Sequence, residues 1–180
     1  MPYKPEFTIT NKILYSVSRC EASKEIIENS PLVPAWERKF QGEALVRSVH
    51  HSTALEGNEL SIDETERVID GEHVDTYRLR DIQEIINYRN VLEYISASKE
   101  KNLTRELLFD VHKILGKKIL PEEYIGKFRT KNAVIVNTRN LDVVFDPQKY
   151  FEIDPEIHDR IKWDLNLGVT VHALKRAGIL

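Results

Sequence analysis

Disulfide chemistry is excluded at the outset. The 180 residues contain one cysteine, Cys20, and a single thiol has no internal partner. A lone thiol suits a reducing compartment. Nor does any apolar run approach the roughly 20 residues that a membrane span needs. The N-terminus "MPYKPEFTIT" lacks the apolar centre of a secretory signal. A cytoplasmic protein with no membrane partner is therefore expected. Basic excess is also missing: 26 Lys and Arg stand against 29 Asp and Glu, for a net charge of −3 and a pI near 6.1. Without a broad basic surface, nucleic acid is not the expected partner. The seven glycines are scattered, with no Gly-x-Gly pair to cradle phosphates at a helix start.

What remains is an ordinary globular balance, 41% hydrophobic and 31% charged, in a chain long enough for one sizeable core. Apolar spacing predicts helices almost throughout. Thr10 opens the first, with Ile13, Leu14, Val17 and Ile27 at helical intervals. Pro34 suits the start of a second, from about Ala35 to Glu56, and Gly57 supplies a left-handed cap. In "SIDETERVIDG", Ser61 and Glu64 make a capping box and Gly71 a stop. A longer helix should bury Leu79, Ile82, Ile86, Leu92 and Ile95, and Thr104 caps another that closes at Gly116. "NAVIVNTRNLDVVFD" reads as a β-hairpin. Asp154 and Pro155 are expected to start a helix through Trp163, and "VTVHALKRAGIL" the beginning of a last one. The fold class is thus mainly α, a helical bundle with one small β-hairpin. Residues 1–100 are read as an N-terminal helical region and 101–180 as a second unit carrying the hairpin.

One stretch, "HHSTALEGNEL", is electrostatically odd. Glu56 sits where a helix end carries partial negative charge, which disfavours a carboxylate by a few tenths to about 1 kcal/mol. At 100° per residue, Leu45, Val49, Ser52 and Glu56 share a sector about 60° wide, so serine and glutamate extend an apolar stripe. They should face protein, and the carboxylate should meet a cation. The plainer alternative leaves Glu56 fraying into solvent with Ser52 bonded to a backbone carbonyl. A metal site of His50, His51 and Glu56 is weaker, because adjacent histidines point about 100° apart on a helix. No metal ligands are assigned.

"HHSTALEGNELSIDETERVIDG" closely resembles the inhibitory helix of the Fic family, whose members transfer AMP from ATP to protein hydroxyls. The family pattern, Ser or Thr, three residues, Glu, then Gly or Asn, is met by Ser52, Glu56 and Gly57. Downstream, "LLFDVHKIL" is similar to the helix before the family core, and "GKFRTKNAVI" to its Gly-x-Phe-Arg-Thr segment leading into the flap hairpin. The resemblance spans nearly the whole chain. It implies a partial Fic fold. Glu56 would be the inhibitory carboxylate and Ser52 an orienting residue one turn earlier. The flap would comprise Asn132, Ala133, Val134, Ile135, Val136, Asn137, Val143 and Val144, aligning a target segment through main-chain hydrogen bonds. A hairpin that merely ornaments the surface is the alternative.

The same resemblance exposes an absence. Family catalysis resides in His-Pro-Phe-x-Asp/Glu-Gly-Asn-Gly-Arg, and no such string occurs. "VHALKRAGIL" resembles the helix before that motif, with His172 where a His-Pro pair often sits and Ala173 in place of proline. The chain therefore reads as the front half of a Fic protein, with no catalytic residue of its own. ATP and Mg²⁺, cofactors of complete family members, are not expected to bind productively. His112 and His158 read as surface or boundary residues. Arg129 either serves the family segment or braces the fold. The alternative function is a non-catalytic module that pairs with or inhibits another Fic protein. The protein substrate is not legible, and exposed apolar surface would favour a homo-oligomer.

Overall fold

A computed structural model describes residues 3–31, 33–75, 78–98, 102–137, 139–140, 142–167 and 172–178. Parts of two predicted elements, residues 138 and 141 of the hairpin and 169–171 and 179–180 of the closing stretch, lie outside them.

Helix α1 (Asn11–Glu28) begins at Thr10, whose hydroxyl accepts a hydrogen bond from the Ile13 N–H at 3.2 Å. Helix α2 (Pro34–Leu55) has proline in its first turn and ends at Glu56. Gly57 adopts φ +95°. There the Gly57 N–H reaches the Ala54 carbonyl and the Asn58 N–H the Thr53 carbonyl, both at 3.1 Å, the paired bonds of a Schellman cap. In α3 (Ile62–Ile69) the capping box closes in both directions. Ser61 Oγ accepts from the Glu64 N–H at 3.3 Å, and Glu64 Oε2 accepts from the Ser61 N–H at 2.8 Å. The Ser61 N–H first, and then the Ser61 hydroxyl, which also donates to Glu64 Oε2 at 2.8 Å, hold the Glu64 carboxyl below its ordinary pKa, with help from Arg78 and Arg67.

The core lies between α2, α3 and α4 (Leu79–Ala97). Val49, Leu60, Val68, Val74 and Ile85 form it, with Leu45, Ile82, Ile86 and Leu92 packed at its edge. Two residues predicted to be buried are not: Leu79 is 73% exposed and Ile95 46%. They occupy the two ends of α4, whereas α2 and α3 cover its middle, so Ile85, Asn87 and Val91 are the buried positions.

Helix α5 (Arg105–Gly116) packs on α4. Asn87, 1% exposed, reaches across to its end and donates to the carbonyls of Leu115 at 2.9 Å and Lys117 at 2.7 Å. Two carbonyls at the helix end thereby gain a donor from α4.

Strands β1 (Ile135–Val136) and β2 (Val143–Phe145) pair antiparallel, as predicted. All five strand residues are exposed. Helix α6 (Tyr150–Leu167) starts four residues earlier than predicted, leaving Pro155 inside it. The start is set by Glu152, whose carboxylate accepts the Lys149 N–H at 3.0 Å. Pro155 lies near the helix start, so the ladder loses one bond there instead of being broken in mid-helix. The last described element is the short helix α7 (Ala173–Ala177).

Candidate functional site

The last turn of α2 and the end of α5 converge on one groove. Ser52, Thr53, Leu55 and Glu56 line it from α2, Glu84 and Tyr88 from α4, and Leu115 and Ile119 from α5 and the turn beyond. Its volume is about 400 Å³. Two helix C-termini, each with its partial negative charge, therefore lie at its edge. Glu56 and Glu84 add two carboxylates, and the other walls are largely apolar. Such a groove favours a cation carried on an apolar body, a guanidinium on a packed segment for instance.

Glu56 corrects the sequence reading in one respect. Its side chain is exposed and does not face buried protein. The helix ends there, so the stripe begun by Leu45 and Val49 runs out at the groove's lip. Among the described residues nothing answers its charge with a hydrogen bond or ion pair. Ser52 is half-buried on the same wall. The hydroxyl that bonds back to the helix is that of Thr53, 6% exposed, which reaches the Val49 carbonyl at 3.0 Å.

Sequence reading missed how firmly the end of α2 is held. Asn58, 7% exposed, donates through Nδ2 to the Asp81 carbonyl at 2.9 Å and to Glu84 Oε2 at 3.2 Å. Its Oδ1 accepts from the Leu60 N–H at 3.2 Å. Beside it the Glu59 N–H bonds Asp81 Oδ2 at 3.0 Å, and Arg78 pairs with the Glu59 carboxylate. An asparagine directly after the capping glycine and before a buried leucine was the available signal. Glu84, missed as well, divides its carboxylate between Asn58 and Arg80 Nε, the latter at 3.0 Å.

The predicted hairpin residues form a second feature. Its base is tied at two points: Arg129 Nη2 donates to the Gln148 carbonyl, and Asn132 Oδ1 accepts from the Tyr150 N–H at 3.2 Å. Arg129 thus braces the fold. Phe128 packs edge-on against Phe109, centroids 4.8 Å apart. Arg105 lies over both rings and pairs with Asp154 at 2.9 Å. Beyond this base Val134, Ile135, Val136, Val143 and Val144 present apolar side chains to solvent.

The histidines do not gather. His112 Nδ1 accepts the Gly126 N–H at 3.1 Å, so it holds the turn where Gly126 takes φ +67°. His158 is exposed. His172 Nε2 lies 2.8 Å from Glu21 Oε1, tying α7 to α1. The rings of His50 and His51 meet edge-on, centroids 5.0 Å apart. No group of three or more metal-ligating side chains occurs among the described residues. The groove also fits a nucleotide triphosphate poorly, since two carboxylates would face the phosphates and no glycine-rich turn lines it. No described helix is long and apolar enough to cross a membrane.

No family model matches the chain, and no curated protein sequence matches it. Solved structures do. The chain is similar to a Fic family protein from Desulfovibrio desulfuricans G20, with a TM-score of 0.74 and 25% identity, over 98% of this chain and 51% of that one. It is also similar to a Fic domain containing signaling protein from Bacteroides thetaiotaomicron VPI-5482. There the TM-score is 0.67 and the identity 19%, over 89% of this chain and 57% of that one. The chain has a Fic-like fold and spans a little over half the length of these structures.

Proposed function

We propose that this chain is the regulatory half of a Fic-type AMP-transfer system, in which Glu56 is the brake. The observation that carries the reading is an uncompensated carboxylate at a helix C-terminus, on the lip of a groove suited to a cation. The arginine that grips the γ-phosphate of ATP in complete family members is the cation it would capture. Ser52 lies one turn back on the same wall. The hairpin, braced at its base and open at its strands, would serve as the flap that aligns a target hydroxyl.

The residues that would hold ATP and Mg²⁺ belong to a motif this sequence does not contain. AMP transfer by this polypeptide with Mg-ATP is therefore expected at background, and labelled protein above background would overturn that. The brake is tested in a chain that continues into the catalytic motif. There Glu56→Gly should raise AMP incorporation strongly, and equal activity of the two proteins would remove the inhibitory role.

A second reading has one observation in its favour. Helix α1 buries no residue, and Ile13 and Ile27, which fall within about 40° of one another on one face of it, are 43% and 67% exposed. Such a face suits a module that docks on a separate Fic protein. Titrating the chain into a catalytically complete Fic protein, with Glu56→Gly as control, distinguishes the two: inhibition that needs Glu56 supports action in trans.

A further inference from the structure

We infer that Asn58 is the positioning residue of the proposed brake. This rests on the reading that Glu56 acts as one. The mechanics follow from the chain path. Glu56 is the last residue held by α2, and Gly57 follows in a conformation that leaves the helix. Asn58 is the first residue beyond that glycine to fix the end against α4, and Glu59 follows with its N–H on Asp81 Oδ2. Asn58 does so with its whole amide: Nδ2 is shared between the Asp81 carbonyl and Glu84 Oε2, and Oδ1 holds the Leu60 N–H. Its backbone N–H closes the cap on Thr53.

Aspartate at position 58 could still accept from Leu60. It could not donate to Asp81, and it would set a second carboxylate against Glu84. The donor end of the amide is therefore what sets the distance from Glu56 to the α4 wall of the groove. Glu84 has a second task here: it anchors Asn58 while itself lining the groove.

Electron–electron distance measurement tests this on the chain itself, separately from any activity. Nitroxides are placed at Leu55→Cys and Ile95→Cys, both exposed, in a Cys20→Ser background. Asn58→Ala and Asn58→Asp should each shift the distribution and broaden it about twofold, as local release of one element would. Glu84→Ala, which keeps the Asp81 bond, should broaden it less. Val74→Ala trims the same core and should lower the melting temperature while leaving the distribution unchanged. A wild-type distribution in Asn58→Asp overturns the inference. If neither Asn58 variant folds, Glu84→Ala decides, and an unchanged distribution there overturns it. The Glu56→Gly activity comparison stands apart, so a failed brake and a failed anchor give different results.

Discussion

Helix α1 and the block made of α2, α3 and α4 carry apolar side chains at the same helical spacing, yet they end in opposite environments. In the block, Val49 and Ile85 are sealed from solvent. In α1, whose N-cap hydrogen bond is in place, nothing is buried. Even α3, with eight residues, buries Thr65 and Val68. Spacing therefore states which face is able to be buried. A partner decides whether it is. The hairpin repeats the lesson in β form, with Ile135 and Phe145 paired across the strands and 56% and 58% exposed.

The difference is most exposed to test at Ile85. Truncation to alanine should destabilise the chain by about 3 kcal/mol in urea unfolding, because the transfer and cavity terms add. Leu14→Ala, in α1, should fall within about 0.5 kcal/mol of wild type. Equal losses at the two sites would break the contrast and place α1 inside the cooperative unit.

Polar burial should follow the same division with a smaller effect. Asn87→Ala strips the donors from the Leu115 and Lys117 carbonyls and should lower stability by about 2 kcal/mol in the same measurement. Smaller again is the capping box. Ser61→Ala should lose about 1 kcal/mol near neutral pH. The Glu64 pKa is held below 4.5 in the folded chain, so the share of this cap that rests on the Ser61 hydroxyl bonded to the Glu64 carboxylate is complete above that value and fades as pH falls through the lower, folded one, while the bond to the Glu64 N–H persists. Unfolding curves of the two proteins should approach each other in acid. The smallest expected effect has the opposite sign. Glu56→Gln removes an unanswered charge from a helix C-terminus and should stabilise by a few tenths of a kcal/mol. A loss instead would mean that the carboxylate has found a cation.

Caps and boundaries were legible because they depend on neighbours in sequence. Thr10, Gly57, Ser61 with Glu64 and Gly71 all act where the chain pattern places them. The start of α6 was misplaced because Pro155 is a strong local signal, whereas the Glu152 bond to Lys149 that sets the start is a quieter one. The exposure of Leu79 and Ile95 was illegible, since helical periodicity is silent on where a neighbouring helix stops. In the candidate site, Ser52, Glu56 and Gly57 were readable through their pattern. The bonds that Asn58, Glu84 and Asn87 make across elements were not, because those partners stand 23 to 30 residues away.

Helix α4 grips the tail of α2 at Asp81 and Glu84 and the tail of α5 at Asn87. Those attachment points span roughly 9 Å of helix axis at 1.5 Å per residue. Both banks of the groove thus ride on one short beam, and translating or rotating that beam as a whole carries them together with the gap unaltered. Only flexing within fewer than two turns, or slipping one of the two fastenings, would change its width.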